Sequence, residues 1–163
     1  MDIILIGRIA EAGTLEIVER EHEAIELKYG TRYLTYGIAG LAAEFADDEC
    51  MRELTKAGCD VFVVGRQGIC KALWALAETL SIGLRVRVED IPISQFAIEM
   101  AEYKDENPYF INSLGCILAC AEEGGALCDR LKGLGYPAAV IGYTTSDNIR
   151  GLINHDTLTY LTP

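Results

Sequence analysis

The chain has 163 residues, half of them hydrophobic, with a formal net charge of −11. That length suits one domain with a sizeable core, and no run of 18 apolar residues exists to span a bilayer. So acidic a surface repels phosphate backbones and anionic lipid, so neither nucleic acid nor membrane is an expected partner.

The opening Met1-Asp2-Ile3-Ile4-Leu5-Ile6 has no basic segment before it and reads as a strand, not a leader peptide; the apolar run over 2–9 predicts a buried strand. Glu11 to Tyr29 reads as one helix, with Leu15, Val18, His22, Ile25 and Tyr29 on a single face and Gly30 as its stop. Two short helices are expected next. One is striped by Ile38, Leu41, Ala42 and Phe45; the other is capped by Asp47, turns Met51 and Leu54 inward and ends at Gly58. Asp60 to Val64 predicts a buried strand, and Gly65-Arg66-Gln67-Gly68 turns it into a helix over Ile69 to Leu80. This helix is apolar almost all round, which predicts packing on more than one side or a subunit contact.

Leu84 to Val88 alternates as a half-exposed strand does. Ser94 caps a helix through Phe96, Ala97 and Met100, and Asn107-Pro108-Tyr109 marks a turn. A strand over Gly115 to Ala121 and a helix with Leu127, Leu131 and Leu134 inward follow, ending at Gly135. Ala138 to Tyr143 is the next strand. Short strands near 149–153 and 157–161 flank a hairpin turn at Asn154-His155-Asp156. Alternating strands and helices that close on a hairpin favour an α+β fold, a mixed sheet covered by helices, over a purely parallel sheet.

The six cysteines, Cys50, Cys59, Cys70, Cys116, Cys120 and Cys128, include no C-x-x-C pair and sit mostly in apolar stretches. They read as reduced thiols of a cytoplasmic protein. Cys116 and Cys120, four residues apart on one predicted strand, would lie about 13 Å apart, too far for a disulfide or a shared metal. His22 and His155 are isolated, which excludes a histidine-rich metal site. Asp47-Asp48-Glu49 is best read as favourable charge at a helix start, and Glu19, Glu21, Glu23 and Glu26 as a solvated helix face.

An ordered set of segments resembles a known family. Gly68-Ile69-Cys70-Lys71-Ala72-Leu73-Trp74-Ala75-Leu76-Ala77-Glu78 is the first, running on through Gly83-Leu84-Arg85-Val86 to Ile91-Pro92-Ile93. Asn107-Pro108-Tyr109, Ser113 and Gly115, and Ala138-Ala139-Val140-Ile141-Gly142 follow in order, with Ile9-Ala10-Glu11-Ala12-Gly13-Thr14 before them. Together they resemble the carboxy-terminal domain of the aminoimidazole ribonucleotide synthase superfamily, nearest the hydrogenase maturation branch that dehydrates a carboxamide. The resemblance implies α/β/α layers with partial ferredoxin-like topology over 1–163, with residues 1–58 an opening strand and helical segment and 59–163 the core sheet and helices. It also implies an amino-terminal domain carrying acidic metal–ATP residues, to which nothing in this chain corresponds.

The departures bear on function. Where relatives carry Asp-Val-Thr-Glu-Gly-Gly or a similar turn, this chain has Val63-Val64-Gly65-Arg66-Gln67-Gly68, and the usual Glu-Gly-Thr reads Ala12-Gly13-Thr14. Carboxylates that a magnesium nucleotide needs are replaced. The branch's terminal cysteine tail has no counterpart in Tyr160-Leu161-Thr162-Pro163. The expectation is a non-catalytic or accessory domain, self-associating or partner-binding, with no cofactor of its own. The alternative is half of a split ATP-dependent enzyme, with ATP and magnesium held mainly by a separate amino-terminal half. Candidate ligand-binding residues are Gly13, Thr14, Gly65, Arg66, Gln67, Gly68, Ser113 and Gly115. The turn at 65–68 sets N–H groups and Arg66 at a helix start, where an anion is favoured, although a glycine turn also serves a purely structural purpose. A thiol-based sensor is a third reading, resting on the cysteines alone.

Overall fold

The computed structural model describes residues 1–42 and 44–163. Seven strands form one sheet: β1 (Asp2–Ile6), β2 (Asp60–Val63), β3 (Gly83–Arg87), β4 (Ile117–Ala121), β5 (Ala138–Thr145), β6 (Arg150–Asn154) and β7 (Thr157–Tyr160). Their spatial order is β2-β4-β1-β5-β3-β6-β7. Every neighbouring pair is antiparallel except β3 and β6, which run parallel. The fold is thus α+β with a mixed sheet, as the element order predicts.

The apolar runs decide which strands lie inside. All of β4 and most of β1 are buried, so both faces of the central sheet are covered. The helices that cover the sheet and complete the fold are α1 (Glu11–Arg20), α2 (His22–Tyr29), α3 (Thr31–Ala39), α4 (Asp48–Lys56), α5 (Ile69–Leu80), α6 (Gln95–Lys104) and α7 (Gly124–Gly133). Two strand–helix–strand units, β2-α5-β3 and β4-α7-β5, interleave, and β1 from the opening segment lies between β4 and β5. The main core unites Ile3 to Ile6 with Leu54, Leu73, Leu76, Leu118 and Leu131. A second, smaller core joins Ile17, Val18, Ile25, Leu34 and Met100. Among the described residues no helix is long and apolar enough to cross a membrane.

Several caps follow from local chemistry. Asp47 accepts the Cys50 N–H at 3.0 Å to open α4, and Ser94 accepts that of Ala97 at 3.1 Å to open α6. Gly135, with φ +96°, follows the Leu134 cap of α7.

Other expectations are corrected. The helix expected over Glu11–Tyr29 breaks at Glu21, whose carboxylate pairs with Lys104 at 2.7 Å, and the break lets Ile25 of α2 join the same core as Ile17 and Val18 of α1. His22 lies exposed at the break and off the buried stripe. The stripe of Ile38, Leu41, Ala42 and Phe45 is not one helix: α3 starts earlier and stops at Ala39. The first strand stops at Ile6 because Gly7, with φ +114°, turns the chain where any side chain would strike Phe45. The second strand is an edge and not a buried strand, with Val63 67% exposed. Leu134 stands outside its helix and exposed.

Ser94→Ala should cost about 1 kcal/mol, read as a lower urea midpoint at an unchanged slope.

Candidate functional site

Three segments far apart in sequence meet at one corner. They are the start of α1, the turn between β2 and α5, and the 112–116 loop before β4. Ser113 ties them together. Its N–H donates to the Gly65 carbonyl at 3.2 Å, its Oγ accepts the Ala10 N–H at 2.7 Å, and its hydroxyl donates to the Ile111 carbonyl at 3.0 Å. Gly13 N–H donates to Asn112 O at 2.9 Å, and the Thr14 hydroxyl to Ala10 O at 2.6 Å. Gly115 adopts φ +98° as the loop swings into β4. All eight candidate residues therefore belong to this corner, in two different settings.

Gly13, Thr14 and Ser113 are buried, and their polar groups are consumed inside the chain. Arg66 and Gln67 face solvent. Gly68 is buried with φ +88°, and a Cβ there would lie 2.4 Å from the Tyr109 carbonyl oxygen and 2.7 Å from the Phe110 backbone. That close approach explains why a glycine stands at 68 whatever else the turn does. Gly65, by contrast, has open space around an added Cβ.

Four further residues complete the corner: Glu16 and Asn112 carry no sequence signal, while Ala10 and Glu11 lie in the resembling segment at 9–14 but are not among the candidate residues. Glu16 accepts from Asn112 Nδ2 at 2.7 Å and pairs with Arg66 at 3.2 Å. It was one acid among many on α1, and only the fold brings residue 66 to it. Asn112, also buried, accepts the Leu114 N–H at 3.0 Å. Glu11, 1% exposed, pairs with Arg8 at 2.9 Å through Oε1, while Oε2 has no hydrogen-bond partner among the described residues. Ala10 is held at φ +64°, a left-handed conformation costing roughly 1–2 kcal/mol for a non-glycine residue. The bond to Ser113 and complete burial of its methyl hold it there.

Two hollows flank the turn. A cleft of about 220 Å³ is lined by Glu16, Arg20, Arg66, Glu106, Phe110 and Asn112 among others. A groove of about 400 Å³ runs between Val63 and α5, lined by Gly65 to Gly68, Lys71, Ala72 and Ala75. Among the described residues no group of three His, Cys, Asp or Glu side chains could hold a metal ion. The apolar residues of α5 are spent in the core: Ile69, Cys70, Leu73, Leu76 and Ala77 are buried, and Arg150 stacks on Trp74 at 4.5 Å. Most of the apolar surface of the helix thus faces the core.

No family model matches the sequence, and no curated protein matches it. Solved structures do. HypE in a HypE–HypF complex superposes with a TM-score of 0.78 at 17% identity, over 99% of this chain and 52% of that one. HypE of E. coli gives 0.77 at 15%, over 99% and 49%. Thiamine-monophosphate kinase from Stenotrophomonas maltophilia K279a gives 0.65 at 17%, over 97% and 51%. The chain shares the fold of about half of HypE and of thiamine-monophosphate kinase, in keeping with the fold that the sequence resemblance implies. At these identities the likeness is one of fold, and the chain spans about half the length of these neighbours.

Burial favours the protonated form of the thiols in this fold. Burial pushes Cys50, Cys70, Cys120 and Cys128 up to about 11 and Cys116 up to about 12. The Cys116 S–H also donates to Arg8 O at 3.1 Å. Cys59 alone is half-exposed, and burial raises it too. Thiolate, the reactive form, is therefore scarce near neutral pH. A thiol reagent at mildly alkaline pH should label Cys59 first, with the other five released only by denaturant. Fast labelling of a second cysteine in the folded chain would contradict this burial pattern.

Gly68→Ala should destabilise by at least about 2 kcal/mol through strain and backbone collision. Gly65→Ala should stay within about 0.5 kcal/mol. Paired thermal melts decide both.

Proposed function

We propose that the chain is an accessory, non-catalytic domain of the aminoimidazole ribonucleotide synthase type, binding a small anion at the Gly65–Gly68 turn and working through a protein partner. One observation carries this reading. The hydroxyls of Thr14 and Ser113 and the N–H of Gly13 are occupied within the chain, which leaves Arg66 and Gln67, just before α5, as the candidate residues whose side chains face solvent at this corner. The first-turn N–H groups of Ile69, Cys70 and Lys71 have no intrahelical carbonyl to bond, and the α5 dipole favours negative charge beside them. Arg66 is held by Glu16 in an exposed pair, 72% and 44% accessible. Such a pair is weak, so a phosphate or carboxylate can draw Arg66 away.

The residues present do not suit magnesium. Val63, Gly65 and Arg66 offer no carboxylate at the turn, and Glu16 is engaged by Arg66 and Asn112. No catalytic step is therefore assigned to a metal on this chain.

A second reading has one observation in its favour: HypE and thiamine-monophosphate kinase are each about twice the length the chain covers. In it the chain is one half of an ATP-dependent enzyme, with Gly13, Thr14, Gly68, Ser113 and Gly115 forming the second wall of a site whose metal–ATP ligands come from the other half. The chemistry would resemble phosphorylation of an amide or carboxamide oxygen and loss of that oxygen, driven by electrostatic stabilisation of the transferred group. HypE occurs in complex with HypF, and a protein partner is the counterpart proposed here.

Calorimetric titration with phosphate, ADP and magnesium-ATP, with a thermal-shift control, separates the two. Binding of phosphate alone, lost in Arg66→Ala, is expected; ligand at a hundred times its Kd should stabilise by about 2.7 kcal/mol. Sustained ATP turnover by the chain alone would sink the non-catalytic reading.

A further inference from the structure

The second strand was expected to be buried, and it is an edge. Its pairing with β4 fixes what that edge offers. Val64 N–H donates to Cys116 O at 3.0 Å, and the antiparallel register runs Val63↔Ile117, Phe62↔Leu118, Val61↔Ala119, Asp60↔Cys120. Hydrogen-bonded pairs alternate with non-bonded ones in such a ladder. Phe62 and Asp60 therefore share the inward orientation of Val64, and the N–H and C=O groups of Val61 and Val63 point away from the sheet. Val63 is uncovered, its side chain 67% exposed, and Asp60 is the one charged residue on the strand. Unpaired strand edges of this kind are usually blunted.

The groove beside this edge has a defined shape. One wall is Val63; the other is the stripe Gly68, Lys71, Ala72 and Ala75 along α5, spaced to share one helix face. Small alanines leave its floor open, and the turn at Gly65–Gly68 closes one end. Its charges are Arg66 and Lys71, both exposed, on a chain whose net charge is −11.

We infer that this groove takes an extended, acidic peptide segment of a partner protein, added to the sheet as a further strand beside β2. The main chain of the segment bonds to the outward groups of Val61 and Val63. Alternate side chains enter the groove over Ala72 and Ala75. Acidic residues meet Arg66 and Lys71. A second copy is the alternative occupant, which the sedimentation measurement below distinguishes. This inference rests on the partner-binding reading above and gives that partner a chemistry.

The probe is a short fluorescent peptide of alternating Glu and Val, followed by anisotropy on the full chain, with a Lys–Val counterpart as control. Saturable binding of the acidic peptide, roughly tenfold or more tighter than the control at low salt, is expected. Val63→Pro removes an outward N–H and no ladder bond, a substitution that edge strands tolerate, and it should abolish binding while the thermal midpoint holds. Ala75→Trp fills the groove from an exposed helix position and should do the same, so the test survives if the proline variant fails to fold. The Arg66→Glu, Lys71→Glu double variant should reverse the preference between the two peptides. Equal binding of both peptides, or binding untouched by Val63→Pro and Ala75→Trp, overturns the inference. So does sedimentation showing a dimer that Val63→Pro dissolves, which would assign the edge to a second copy. A phosphate titration run alongside separates the two proposals: phosphate binding without peptide binding removes this inference and leaves the anion site standing.

Discussion

Ser113 is the knot on which the corner depends. One small side chain accepts the Ala10 N–H and donates to Ile111, while its own N–H reaches Gly65. These bonds are buried, where an unpaired polar group costs about 1–3 kcal/mol. Their mutual satisfaction holds Ala10 in its left-handed conformation and sets the register of α1 against the 112–116 loop. The turn into α5 is fixed by the same residue.

The corner also shows how one position serves packing while its neighbours are free for other uses. Gly68 is demanded by the backbone of Tyr109 and Phe110, so it stands although the acids and threonine that accompany it in the family pattern do not. Gly65 and Arg66 carry no such constraint. With no carboxylate at Val63, Gly65 or Arg66 and a guanidinium at 66, the turn has the charge that the proposed anion site requires. Glu16, on α1, pairs with the exposed Arg66 guanidinium at 3.2 Å.

The two sides of β2 divide the labour. Toward β4, the ladder bonds and the half-buried Val61 and Phe62 anchor the strand. Away from β4, backbone groups and Val63 remain available beside a groove with basic residues at its margin. The helix forming the groove's other wall is among the most deeply packed in the chain, with six buried residues. A rigid wall of that kind costs little ordering entropy when a segment docks.

Much of this was legible in the sequence. The caps at Asp47 and Ser94, the stop at Gly135, the hairpin at Asn154–Asp156 and the α5 helix rest on local chemistry that residue type and spacing report directly. The mixed α+β sheet followed from the order of apolar runs, and the candidate residues from their ordered resemblance to a family. Strand order was not legible, because hydrophobic periodicity says that a strand is apolar and not which neighbours it has. Asp60–Val64 therefore read as interior although it is an edge. Nor could periodicity place the break at Glu21, which exists because Lys104 pairs there from another helix. The partners Glu16 and Asn112 are unremarkable in sequence and acquire meaning only when distant segments close on Ser113. Local propensity determined the elements; long-range closure alone decided which backbone groups were consumed and which were left facing solvent.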